Sequence, residues 1–167
     1  MKPRTNLEDD PHVRFHQEIL DFEDWVRVKD NTPQEDLFKK VKQVISKGFP
    51  KAKFIFFGSA GSSLNIRGSD IDMLVNDETV SFPELFNSSQ KLLVQVDRFE
   101  YVERVVCTVP ILKLKDKKTG LCADITFNRA DGYKGVIAAI LFQTQFRELR
   151  PLYFVLKVFL RERQHLD

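Results

Sequence analysis

The chain has 167 residues, with 26 Lys and Arg against 24 Asp and Glu, for a net charge of +2. A hydrophobic fraction of 43% with 11% aromatics supports a packed core and excludes a disordered chain, while so even a charge balance does not by itself indicate a polyanionic partner. The length allows one domain, or one and part of a second.

Residues 1–11 are polar, contain Pro3 and Pro11, and read as a flexible arm. From Val13 to Val28, Phe15, Ile19, Phe22, Trp25 and Val26 recur at helical spacing. Thr32-Pro33 opens a second helix, with Thr32 as its cap and Pro33 in its first turn. It runs to about Lys47 with Leu37, Val41, Val44 and Ile45 on one face, and Gly48 and Pro50 end it. Lys53–Phe57 is a strand, and Asp70–Val75 a second one. Phe82–Leu93 is helical, entered by Ser81-Phe82-Pro83. Arg104–Leu114 and Leu121–Phe127 read as strands joined by the polar tip Asp116–Gly120. Asp131–Phe146 and Glu148–Gln164 are helices. The order predicts an α+β (mixed α/β) fold, a small mixed sheet flanked by helices.

Smaller features take plain readings. Lys39, Lys40, Lys42, Lys47, Lys51 and Lys53, and then Lys113, Lys115, Lys117 and Lys118, read as a solvated helix face and a hairpin tip. Cys107 and Cys122 lack metal-site spacing and read as small buried core residues of a reducing compartment. His12 and His16 are i, i+4 but lack the Glu of a hydrolase motif, so they are surface residues. Arg67-Gly68 reads as a turn, and the Phe-rich strand 54–57 as core. No long uncharged apolar run suggests a membrane span or a signal peptide.

The segment FGSAGSSLNIRGSDIDM, residues 57–73, breaks this pattern. Asp70 and Asp72 interrupt an apolar strand and, by alternation, project on one face with Cα atoms roughly 6.5 Å apart. Two such acids repel, and burying them is costly. A divalent cation removes the conflict, because magnesium prefers oxygen ligands and keeps part of its water shell. Asp124 in Cys122-Ala123-Asp124-Ile125-Thr126-Phe127 is another lone acid in an apolar strand. If the two strands are neighbours, three carboxylates converge on a site for two metals about 3.5–4 Å apart. Gly58 lets a phosphate approach the backbone, and the Ser59 and Ser69 hydroxyls can hold its oxygens. Asp124 on the far side of the sheet from the other two, or a salt bridge already occupying that pocket, would overturn the enzymatic reading.

Phe57-Gly58-Ser59 through Ser69-Asp70-Ile71-Asp72 resembles the signature of the DNA polymerase beta-like nucleotidyltransferase superfamily. Within it the chain is similar to the non-canonical poly(A) polymerases and terminal uridylyltransferases, of the TRAMP-complex type. The segments His16–Phe22, Val109–Lys113, Asp124–Asn128 and Arg150–Leu160 extend the likeness past residue 12. The resemblance implies a nucleotidyltransferase palm over residues 31–130, with residues 12–30 and 131–167 belonging to a helical central domain. It implies that Asp70 and Asp72 hold two Mg2+ (or Mn2+) ions and that Asp124 helps bind the ion at the RNA 3′ hydroxyl. It places Gly58 and Ser59 on the triphosphate, Lys157 and Arg161 at its outer phosphates, and Gly132 at the sugar; Asp131 departs from the family's usual Asn.

The activity it implies is template-independent addition of AMP from ATP to an RNA 3′ end with release of pyrophosphate. Uridylyl transfer, transfer to a protein or small molecule, and a non-catalytic scaffold are the alternatives. Implied partners are the RNA 3′ end and, as in TRAMP-like assemblies, a zinc-knuckle RNA-binding protein and a helicase; the implied location is the nucleus, with the cytoplasm as alternative. The last helix carries apolar residues around most of its circumference, which predicts that further helices of a longer protein, or a second copy, cover it.

Overall fold

The computed structural model describes residues 10–106, 108–129 and 131–164, with the backbone alone for 131–133 and 164. Its elements are α1 (Pro11–Val26), α2 (Thr32–Ile45), β1 (Lys53–Phe57), α3 (Gly58–Gly61), β2 (Ile71–Asn76), α4 (Phe82–Val94), β3 (Phe99–Val105), β4 (Ile111–Asp116), β5 (Cys122–Phe127), α5 (Asp131–Gln145) and α6 (Leu149–Gln164). The five strands form one mixed sheet in the order β1-β2-β5-β4-β3. β2 and β5 are parallel and the other pairs antiparallel.

Alternation sorts the sheet into two faces. Ile71, Met73 and Val75 of β2, Ala123, Ile125 and Phe127 of β5, and Leu112 and Leu114 of β4 point into one core. That core is closed by Leu37, Val41, Val44 and Ile45 of α2 and by Leu85, Phe86 and Leu93 of α4. The intervening residues Asp72, Asp124 and Lys113 therefore face away from it, toward the side where α3, α5 and α6 gather. α1 lies along α6, held by Phe22 and Val26 against Phe154 and by an ion pair between Glu23 and Arg150 at 2.8 Å.

Several sequence expectations change in detail. Asp10 and Pro11 open α1 rather than ending an arm: Asp10 accepts the His12 N–H at 2.8 Å. Asp30, not Thr32, serves the start of α2, accepting the Thr32 N–H at 2.9 Å. The predicted strand 104–114 is two strands, because Pro110 has no N–H to give a ladder and the chain bends at 108–109. β3 begins at Phe99 and pairs only with β4; its exposed charges suit an edge. Cys122 is half-buried, its sulfur 3.6 Å from the Tyr101 hydroxyl, while Cys107 lies outside the described residues. Phe15 and Trp25, both in the apolar series read for this helix, are 63% and 65% exposed, so only part of the α1 apolar stripe packs on α6. Leu149, Leu152, Leu156, Phe159 and Leu160 of α6 are exposed as well, as the all-round apolar pattern of that helix predicts.

One polar cluster fixes the β4–β5 hairpin. Asp116 is fully buried and bonded twice by the Arg98 guanidinium and once by Thr119 Oγ1 at 2.7 Å. Arg98 also reaches Asp36 of α2 at 2.8 Å. Arg98→Met leaves a buried carboxylate without its cation, and an equilibrium urea titration is expected to show a loss of about 3 kcal/mol. A loss below about 0.5 kcal/mol, the range of ordinary surface substitutions, would show that Thr119 and the backbone suffice to hold Asp116.

Candidate active site

β2 and β5 are parallel neighbours whose register sets Asp72 directly beside Asp124, and Ile71 beside Ala123. Asp70 immediately precedes β2. The three acids predicted from the sequence thus lie at one end of two adjacent strands, on the face away from the α2–α4 core. Their mutual field shows at Asp72 and Asp124. Burial first, then the charges of Asp124 and Asp70, push the Asp72 carboxyl up to about 6. Burial also raises Asp124, against the opposing charge of Lys113.

The pocket is not free of ion pairs. Lys113, predicted as part of a solvated hairpin, stands opposite Asp124 in the β4–β5 register. Its Nζ lies 2.9 Å from Asp70 Oδ2 and 3.5 Å from Asp124 Oδ1. Among the described residues no three acidic, His or Cys side chains approach closely enough to hold a metal as they stand. The pair does not neutralise the cluster, however. Among the described residues Asp72 has no salt bridge, and the buried Asp124 Oδ1 accepts no hydrogen bond and has only the long 3.5 Å ion-pair contact with Lys113. All the donors are carboxylate oxygens, the ligand type that Mg2+ and Mn2+ take, and a small cation at this point would complete the coordination of that oxygen and relieve Asp72. The residues therefore fit such an ion.

Gly58 is pressed against Asp72. Its φ is +61°, and a Cβ there would stand 2.0 Å from Asp72 Oδ2. Gly58 and Ser59 open α3 and line a cavity of about 350 Å3 together with Ser62, Leu64, Val136 and Tyr153. Lys157 reaches the rim of this region: its Nζ donates to the Leu64 carbonyl at 3.2 Å and lies 5.4 Å from the Tyr153 ring centre. Burial lowers its pKa, and the negative charge of Asp72 counteracts this. A larger cavity of about 580 Å3, lined by Val28, Lys29, Gln34, Arg67 and Leu121 among others, includes none of the three acids.

Other predicted site residues are placed differently. The Ser69 hydroxyl accepts the Ile66 N–H at 3.3 Å and so closes the turn ahead of β2. Arg161, one turn beyond Lys157, donates to the Arg67 carbonyl at 3.1 Å. Gly132 lies in the first turn of α5, and its surroundings fall outside the described residues. Tyr153 and Lys113 were not singled out as site residues from the sequence. Lys113 does stand in the quoted segment Val109–Lys113, but only the β4–β5 pairing brings it to Asp124.

The pH dependence of stability follows from Asp72. Its folded-state pKa, about 6, lies above the ordinary 3.8, so its contribution is complete below pH 3.8 and is lost as pH rises through about 6. Thermal denaturation in EDTA is expected to find Asp72→Asn equal to the wild type at pH 4. At pH 8 the variant is expected to be more stable by about 2–5 °C, after discounting for solvent screening. A difference independent of pH would mean that Asp72 is not strained by its neighbours.

Residues 15–135 match the family described as "Poly(A) RNA polymerase, mitochondrial-like, central palm domain". The chain belongs to this family. It is 26% identical over 155 residues to the poly(A) RNA polymerase cid14 of Schizosaccharomyces pombe, covering 89% of this chain and 23% of that protein. It is 32% identical over 159 residues to the inactive non-canonical poly(A) RNA polymerase protein Trf4-2 of Drosophila melanogaster, covering 87% and 37%. Among solved structures, a GLD-2/RNP-8 complex superposes with a TM-score of 0.80 at 18% identity, over 89% of this chain and 49% of that one. The Cid1 poly(U) polymerase with MgATP bound gives 0.81 at 21% identity, over 92% and 50%. The palm fold of this family is thus the fold of this chain, which spans about half the length of those solved chains and less of the curated relatives.

Proposed function

We propose that the chain carries the catalytic palm of a template-independent RNA 3′-terminal nucleotidyltransferase, adding AMP from ATP and releasing pyrophosphate. The observation that carries this reading is the side-by-side placement of Asp72 and Asp124, with Asp70 adjacent and Gly58 packed on Asp72. Divalent ions held by Asp70, Asp72 and Asp124 would lower the pKa of the attacking 3′ hydroxyl and neutralise charge on the departing pyrophosphate. The chain's own residues prepare that step. Asp124, half-buried and facing the β4 side, orients the RNA 3′ end. Gly58 and Ser59 admit the triphosphate to the backbone at the start of α3. Lys157, held at the rim of the same cavity, places its ammonium toward the phosphates, and Tyr153 walls the cavity beneath it.

ATP is favoured by the naming of the family and of cid14 as poly(A) polymerases. The likeness to the Cid1 poly(U) polymerase supports uridylyl transfer as the second reading. The inactive Trf4-2 supports a non-catalytic one, against which stand the three acids and the strained Asp72. GLD-2 was solved in complexes with RNP-8 and GLD-3, and a protein partner that delivers RNA is part of the proposal.

The test is direct. The chain is incubated with labelled oligo(A), Mg2+ or Mn2+ and each nucleoside triphosphate in turn. Extension with ATP alone supports adenylyl transfer, and extension with UTP alone moves the reading to uridylyl transfer. Nucleotide binding without extension by any triphosphate favours the non-catalytic reading.

A further inference from the structure

Three carboxylates on adjacent strand positions repel one another, and the cation that the chain supplies to them is Lys113. β4 delivers it from across the β5 ladder, opposite Asp124, and its Nζ sits between Asp70 Oδ2 at 2.9 Å and Asp124 Oδ1 at 3.5 Å. The next lysine on the same strand face, Lys115, turns instead to Glu100 at 2.9 Å, so the placement of Lys113 is not a general property of β4 lysines. The Lys113 side chain is 33% exposed, which leaves it a path out of the cluster.

A divalent ion bound to Asp70 and Asp124 would use the same two oxygens. An ammonium and a divalent cation repel, and both cannot sit within about 3 Å of one carboxylate oxygen pair without paying that repulsion in a partly dehydrated site. We propose that Lys113 is a tethered counter-ion of the acid cluster: it holds Asp70 and Asp124 together, must swing away for a divalent ion to bind both, and so sets the metal affinity of the site. The proposal rests on the metal-binding reading given above. The tether makes the competition intramolecular, so that Lys113 acts at a high effective concentration that no added salt reproduces. The buried Asp124 Oδ1 fits this role, since an ammonium centred on Asp70 reaches that oxygen only at 3.5 Å and without a hydrogen bond, a shortfall that a divalent ion would make good.

The test measures binding rather than turnover. Mn2+ is titrated into the 167-residue chain by calorimetry, for the wild type, Lys113→Met, Lys113→Arg and Lys115→Met. Lys113→Met is expected to bind Mn2+ about tenfold more tightly, and to melt at lower temperature than the wild type in EDTA. Lys113→Arg and Lys115→Met are expected to bind as the wild type does. Equal or weaker binding by Lys113→Met, with normal binding by the wild type, overturns the counter-ion role and leaves the metal site intact. No Mn2+ binding by any of the folded proteins overturns both. The wild type supplies an independent readout should Lys113→Met fail to fold. Acetylation of Lys113, followed by peptide mass spectrometry, is expected to speed up when Mn2+ is added while acetylation of Lys115 does not change; a Lys113 rate that is unchanged or falls overturns the role.

Discussion

Asp72→Asn is expected to lower 3′ extension by about 1000-fold or more while leaving the protein folded and, at neutral pH, more stable than the wild type. Asn keeps the shape that fits against Gly58, where Asp72 Oδ2 lies in contact with the turn, and removes only the charge. That charge is the one the fold tolerates least. Burial and two neighbouring carboxylates disfavour it, the charges of Lys157 and Lys113 offset them only in part, and among the described residues no salt bridge is made to it. Stability and activity are therefore expected to move in opposite directions at this residue, the signature of a side chain kept for chemistry rather than for folding. Primer extension with labelled oligo(A), run beside thermal denaturation of the same preparations, reads both. Extension by the variant within tenfold of the wild type would falsify the catalytic role of the acid cluster.

The second large effect is expected at Gly58. Its φ of +61° is costly for any side chain, and the added methyl of Gly58→Ala would meet Asp72 Oδ2 at 2.0 Å and Cγ at 2.7 Å. Either the turn opens or the carboxylate rotates out of line with Asp124. Backbone strain and displacement together are expected to cost about 2–3 kcal/mol of stability, and the misplaced acid about 100-fold in extension rate. A double-mutant cycle separates the two causes. In an Asp72→Ala background the contacts at 2.0 and 2.7 Å are gone and only a tight one of 3.1 Å to Cβ remains beside the φ strain, so Gly58→Ala is expected to cost at least about 1 kcal/mol less there. Equal costs in the two backgrounds would show that the turn, and not the acid, dictates glycine.

The clustering of the three acids was legible because they contradict their surroundings. Asp70, Asp72 and Asp124 are acids in segments otherwise apolar, and an apolar strand does not keep a charged residue without a use. The fold class was legible for a related reason, since the periods of 2 and 3.6 survive in strands and helices that each bury one face. β3 was harder to read. An edge strand buries little, so Glu100, Glu103 and Arg104 carry no alternation, and the bend at 108–109 is short enough to merge with its neighbours in the pattern.

By itself, then, the sequence determined that a strand-turn-strand with two acids and a third acid downstream would form part of a packed mixed fold, because hydrophobic period and buried charge are local properties of the chain. Only the tertiary structure decided that Asp124 stands beside Asp72, that Lys113 reaches Asp70 and Asp124 while Lys115 does not, and that Arg161 is spent on the Arg67 carbonyl. Those facts depend on strand order and register, which follow from how all the elements close the core together. Residues separated by dozens of positions meet there, and no local pattern along the chain records that they do.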